Sequence, residues 1–156
     1  MRSKTSTWFE TKIRFDKTVE TGETKKITEC YVVDAFSFTE AESTIFDEME
    51  DDVIGNLEVK AIKRAPYGEV FFSDIDTDDK FYKAKLQFIT IDEKSEKEKK
   101  SNVYYLVQAS SIEKARKYID ETMSESMIDY SIASITETPV MDVFENKTTE
   151  KSKQSI

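Results

Sequence analysis

Three aspartates alternate in the stretch "SDIDTDDKFY", residues 73–82, which is how a calcium loop presents its first ligands. Counted from Asp74, an EF-hand needs glycine at the sixth position and a bidentate glutamate at the twelfth. The chain has Asp79 and Lys85 there. The motif fails where it is most diagnostic, so Asp74, Asp76 and Asp78 read as an acidic joint and no metal is expected. Composition narrows the remaining chemistry. Histidine is absent, which removes the commonest general base, the Ser-His and Cys-His nucleophiles and nearly every zinc or non-haem iron site. Cys30, the single cysteine, lies in the apolar run "CYVVDA" and reads as a structural thiol with no disulfide partner. Three unclustered glycines form no phosphate-cradling loop. Catalysis would have to rest on carboxylates, lysine, tyrosine or magnesium, and no convergent acid cluster is visible. The expectation is a protein that is not an enzyme and carries no cofactor.

Two surfaces could instead bind a partner. The tract 40–52 holds Glu40, Glu42, Asp47, Glu48, Glu50, Asp51 and Asp52 and neither lysine nor arginine. Its plain reading is the solvated side of an amphipathic helix. Acids at the C-terminal end oppose the macrodipole, however, so a helix there forgoes stability for charge. The functional alternative is an acidic surface that docks a basic protein or imitates a phosphate backbone. The second surface alternates aromatics with cations. If Phe9, Ile13 and Phe15 point inward, then Trp8, Lys12 and Arg14 point out, as do Phe81, Lys83 and Lys85, with Lys60, Lys63 and Arg64 added from a neighbouring strand. Stacking aromatics with phosphate-neutralising cations suit single-stranded nucleic acid. The plain reading is an ordinary exposed strand face, with Trp8 packed into the core. A net charge of −9 disfavours duplex DNA and anionic membranes.

These residues need elements to position them, and the elements recur. "WFETKIRF" (8–15) matches "FYKAKLQF" (81–88), "YVVDAFSFTEAE" (31–42) matches "YLVQASSIEKAR" (105–116), and "VKAIKRAPYGEVF" (59–71) matches "IASITETPVMDVF" (132–144). The offset is 73 or 74 throughout, and the two prolines of the chain, Pro66 and Pro139, fall at equivalent places. Each copy reads as strand, polar hairpin, strand, helix, strand. Ser37 with Glu40, and Ser110 with Glu113, have capping-box spacing. The helical stripes are Ala41, Ile45, Met49 and Ala115, Ile119, Met123. The run Tyr31 to Ala35 is apolar on both faces and is expected to be a central strand. Each proline is expected at an edge or bulge, with a short strand beyond it.

The predicted fold class is therefore α+β: an internal duplication of a strand-strand-helix-strand unit, about six main strands and two helices, with pseudo-two-fold symmetry. Residues 1–145 are expected to form a single domain, with repeat one at about 8–72, the acidic joint at 73–80 and repeat two at about 81–144. Residues 146–156, "NKTTEKSKQSI", are expected to be a disordered tail. No apolar stretch is long enough to span a membrane, and no signal sequence is evident.

The segments "TWFETKIRFDKT", "VVDAFSFTEAES", "IKRAPYGEVFFSD" and "ASITETPVMDVF" resemble the family Domain of Unknown Function 4494, over about residues 6 to 145. The resemblance implies a source among gut Bacteroidetes and their phages, and hence a bacterial cytoplasm. It implies no activity, cofactor or catalytic residue. The expected function is a small non-enzymatic binding or adaptor protein with a protein partner. Single-stranded nucleic acid bound at the sheet face is the first alternative, and the acidic surface the second.

Overall fold

A computed structural model describes residues 1–146. The elements run β1 (Arg2–Thr5), β2 (Trp8–Thr18), β3 (Thr24–Asp34), α1 (Phe38–Met49), β4 (Ile54–Arg64), β5 (Glu69–Phe72), β6 (Lys80–Ile91), β7 (Glu98–Ala109), α2 (Ile112–Met123), β8 (Asp129–Glu137) and β9 (Val140–Phe144). Two helices and two mixed sheets make the fold α+β. The expected six main strands are β2, β3, β4, β6, β7 and β8; three short ones accompany them. The expected tail lies outside the described residues from 147 onward. Asn146, its first residue, is buried and hydrogen-bonded.

The described chain divides into two compact units. The α1 unit holds Ser6–Ala65 and the chain from Pro139, and its strands lie in the order β4-β2-β3-β9. β2 and β3 form a hairpin from Trp8↔Asp34 to Thr18↔Thr24. β4 pairs antiparallel with β2, and β9 pairs parallel with β3. Phe9, Ile13 and Phe15 alternate along β2 with outward residues, so they share one face with Tyr31, Val33 and Ala35. The α1 stripe Ala41, Ile45 and Met49 closes over that face. The Ser37 hydroxyl accepts the Glu40 N–H (3.1 Å) and starts the helix.

The α2 unit holds Met1–Thr5 and Pro66–Thr138. Its order, β1-β5-β7-β6-β8, repeats that of the α1 unit in reverse listing, with β1 added outside β5. Tyr82, Ala84 and Leu86 pack with Val107, Ala109 and the α2 stripe Ala115, Ile119 and Met123. Ser111, rather than Ser110, caps α2, accepting the Lys114 N–H (3.2 Å).

Both prolines stand where the chain leaves one unit for the other. The last ladder bonds before them are equivalent: Ala65 N–H to the Trp8 carbonyl (2.8 Å) and Thr138 N–H to the Phe81 carbonyl (2.9 Å). Proline has no N–H to continue a ladder, so each long strand ends there. The short strand beyond then joins the other sheet: β5 pairs with β7, and β9 with β3. The sequence reading kept β5 in repeat one and β9 in repeat two; in the structure each pairs in the sheet of the unit that holds the other repeat's long strands.

In the hairpin after β6 the ladder runs far into the polar residues. Of the polar stretch "DEKSEKEKK", residues from Glu98 onward belong to β7, and pairing reaches Ile91↔Glu98. Among the described residues no helix is long and apolar enough to cross a membrane.

Candidate binding surfaces

Register decides which cations share a face. On β2, Lys12 lies opposite Cys30 and Ala61, Arg14 opposite Thr28 and Glu58, and Glu10 opposite Lys63. These residues occupy the helix-free face of the α1 unit. Lys12 and Arg14 are exposed there. Lys63 pairs with Glu10 (3.3 Å). Lys60 sits at a break in the β2–β4 register and pairs with Glu58 (2.9 Å). Arg64 lies opposite Phe9 and so falls on the helix side.

The expected stacking residues are not on offer. Trp8 is 1% exposed and Phe81 2% exposed. Both begin their strands, where register is regular but both faces are covered: Trp8 and Phe9 are consecutive buried residues, as are Phe81 and Tyr82. In the α2 unit Lys83 and Lys85 are half-buried, and the Lys83 ammonium lies 5.0 Å from the centre of the Tyr104 ring. Tyr104 was missed. Its signal was strand parity, since it faces Lys85 across the hairpin. The nine-residue basic and aromatic face is thus divided between two units and lacks its two aromatics.

The acidic tract is better assembled. Glu40 serves the fold, accepting the Phe36 N–H (3.2 Å) and the Asn146 side-chain amide. Glu42, Asp47, Glu50, Asp51 and Asp52 are exposed and Glu48 is half-buried. The last turns of α1 and the start of β4 enclose a groove of about 450 Å³, lined by Phe46, Asp47, Met49, Glu50, Val53, Gly55, Asn56 and Leu57. Its floor is apolar, because Met49 belongs to the core cluster and Val53 and Leu57 pack against it. Phe46, 38% exposed, stands beside Ile45 but off the buried stripe, which is why the periodicity passed over it. The Tyr31 phenol is pushed well above its usual range by burial, by its hydrogen bond to Glu29, and by the charges of Glu29, Asp142 and Asp52.

A second pocket, about 300 Å³, is lined by Arg14, Phe15, Asp16, Lys26, Gly55, Asn56 and Glu58. The hydrogen bond and charge of Lys60, with Lys26 and Arg14 nearby, hold the Glu58 carboxyl below the ordinary carboxylate value. This pocket shares Gly55 and Asn56 with the acidic groove.

The acidic joint lies within the α2 unit. Asp74 and Asp76 are exposed, but Asp78 is 1% exposed. Its Oδ2 accepts from the Ser73 hydroxyl and from the Tyr118 hydroxyl (2.6 Å). The Gln108 amide donates to its carbonyl (3.0 Å). Burial pushes the Asp78 carboxyl up, yet these hydroxyls and the Lys114 charge outweigh it and hold the group below its ordinary value. Among the described residues no three carboxylates or thiols are grouped to hold a metal ion. Gln108 also accepts the Ser73 N–H (3.0 Å), securing the end of β5. In the α1 unit Asp34 accepts the Asn146 N–H (3.4 Å) just beyond β9, and the Ser6 hydroxyl donates to it as well. Cys30 is half-buried; burial and then the Glu10 charge raise its thiol, which keeps it in the unreactive form.

No curated protein and no solved structure matches the chain. The model of the family described as Domain of unknown function (DUF4494) matches residues 7–146, so the chain belongs to that family.

Proposed function

We propose that the protein is a non-enzymatic binding module whose acidic groove at the end of α1 receives a basic, partly apolar segment of a partner protein. One observation carries this reading. The groove has an apolar floor of Met49, Val53 and Leu57, a carboxylate rim of Asp47 and Glu50, and no lysine or arginine anywhere in residues 40–52. Burial of apolar side chains supplies affinity, and complementary charge selects and steers the partner. The family resemblance points to a bacterial or phage source. The proposal sets the protein in the host cytoplasm, in keeping with its single unbridged cysteine.

Isothermal titration with an amphipathic lysine–leucine helical peptide tests the groove. Binding is expected to weaken with added salt and to be lost in Asp47→Lys/Glu50→Lys. Equal binding of a glutamate–leucine peptide, or none of either, would refute it. Single-stranded nucleic acid is the second reading, favoured by exposed Lys12 and Arg14 and by Lys83 over Tyr104. The burial of Trp8 and Phe81 weakens it, since base stacking supplies much of such affinity. Labelled oligonucleotides at low salt separate the two readings.

A further inference from the structure

We infer that residues 147–153, "KTTEKSK", dock as a basic strap along the β9 side of α1, so that only the opposite side of the acidic tract, with its groove, is open to a partner. The docking itself does not depend on what the groove binds. The α2 unit supplies the pattern. Just beyond β5 the Ser73 N–H is held by the Gln108 side chain (3.0 Å). The joint then lies against the first turns of α2, where Tyr118 donates to buried Asp78 (2.6 Å) and Lys114 brings the opposite charge. The α1 unit starts the same way. Just beyond β9 the Asn146 N–H is held by the Asp34 side chain (3.4 Å), and the Asn146 amide donates to Glu40 in the first turn of α1. Residue 147 therefore sets out from beside that helix.

Helix position and charge select the occupant. Ser37 and Ser111 cap the two helices. Counted from the cap, Glu40 and Thr44 hold in α1 the places of Lys114 and Tyr118, the two residues that face the joint in α2. Glu48 follows one turn later, with Asp47 on the crest of the helix, so this side of α1 is a row of carboxylates. The signs are exchanged between the units. An acidic joint meets Lys114, whereas the acids of α1 meet a segment with Lys147, Lys151 and Lys153 against Glu150. α2 also balances its own charges, Arg116 with Asp120 and Lys117 with Glu121, but α1 has no lysine or arginine. Reach is sufficient, since Glu48 lies about 12 Å along the axis from Glu40 and the extended segment spans about 23 Å. Glu42, Phe46 and Glu50 fall on the other side of the buried stripe, and Phe46 and Glu50 line the groove toward β4.

The test uses the full chain at low salt. A zero-length carbodiimide joins a lysine to a carboxylate it touches. It should link Lys151 or Lys153 to Asp47 or Glu48 about fivefold more than to Glu42 or Glu50. Mixing isotopically light and heavy protein should leave those links within single chains. Trypsin cleavage after Lys147 and Lys151 should be about threefold faster in Asp47→Asn/Glu48→Gln than in the parent, and unchanged in Glu42→Gln/Glu50→Gln. The two variants lose the same charge and keep side-chain size, so the fold is retained. Added salt should erase the difference between them. Links spread evenly over both sides of α1, or equal cleavage in the two variants, overturn the strap. Links between light and heavy chains overturn it in favour of a second copy. If these results hold and the lysine–leucine peptide fails to bind, the groove reading falls while the strap stands.

Discussion

Asp78 is buried and still favours its charged form because two hydroxyls aim at one oxygen and Lys114 lies near. A carboxyl whose folded value is depressed contributes stability above its ordinary value of 3.8 and loses it as pH falls through the folded value. Tyr118→Phe removes one of its hydroxyl donors and should cost about 1.5–3 kcal/mol at neutral pH, read by urea denaturation. That cost should shrink as pH drops below the ordinary carboxylate value. A cost independent of pH would contradict the charged hydrogen bond. Trp8 gives the second test at this scale. Fully buried, it should lose about 3–5 kcal/mol as Trp8→Ala through the cavity left behind, visible as a lowered denaturation midpoint. The burial of Asp78 was not legible in the sequence, and that of Trp8 was only one of two readings. Aspartate in "SDIDTDDK" reads as solvated, and only long-range partners such as Tyr118 make Asp78 an inward residue. Strand alternation puts Trp8 on the face away from α1, and the register bears that out; that this face is buried at the strand's first residue is not a local signal.

Between the two helices the difference lies in charge. On α2, Arg116 faces Asp120 and Lys117 faces Glu121 one turn apart, at 3.9 Å in each case. α1 has no lysine or arginine at all, and its last turn ends in Met49 and Glu50 against the macrodipole. Glu50→Lys should therefore raise stability by about 0.3–1 kcal/mol while weakening the basic peptide. A melting scan and a titration on the same variant check both halves, and a variant that loses stability as well as binding would tell against a helix end kept acidic for a partner. The β6–β7 turn holds Glu96 at φ 55, where a side chain is disfavoured. Glu96→Gly should gain about 0.5–1 kcal/mol in denaturation midpoint analysis. Helices, their stripes and the paired hairpins were legible because capping and periodicity are local signals. The groove was not, since its floor is made by Val53 and Leu57 meeting Met49 across a chain reversal.

At the level of the whole chain, the sequence showed two prolines in equivalent places but not where the strands beyond them go. A four- or five-residue apolar segment carries no information about its neighbour; β5 and β9 are placed by pairing with strands 30 residues or more away in sequence. The consequence is thermodynamic. The α1 sheet contains β9 from the end of the chain, and the α2 sheet contains β5, which directly follows the α1 unit's own β4. Opening either sheet releases a segment tethered to the other, and the latches at Asn146–Asp34 and Ser73–Gln108 are lost with it. The units should therefore unfold together. Calorimetry should give one transition whose van't Hoff and calorimetric enthalpies agree. Ile13→Val, confined to the α1 core, should cost about 0.5–1.5 kcal/mol and move that whole transition. Native-state hydrogen exchange should find β3 and β7 amides opening at the same free energy in the parent protein and falling by the same amount in the variant. If Ile13→Val splits the transition, or lowers protection in β3 and leaves β7 unchanged, strand exchange does not couple the two units.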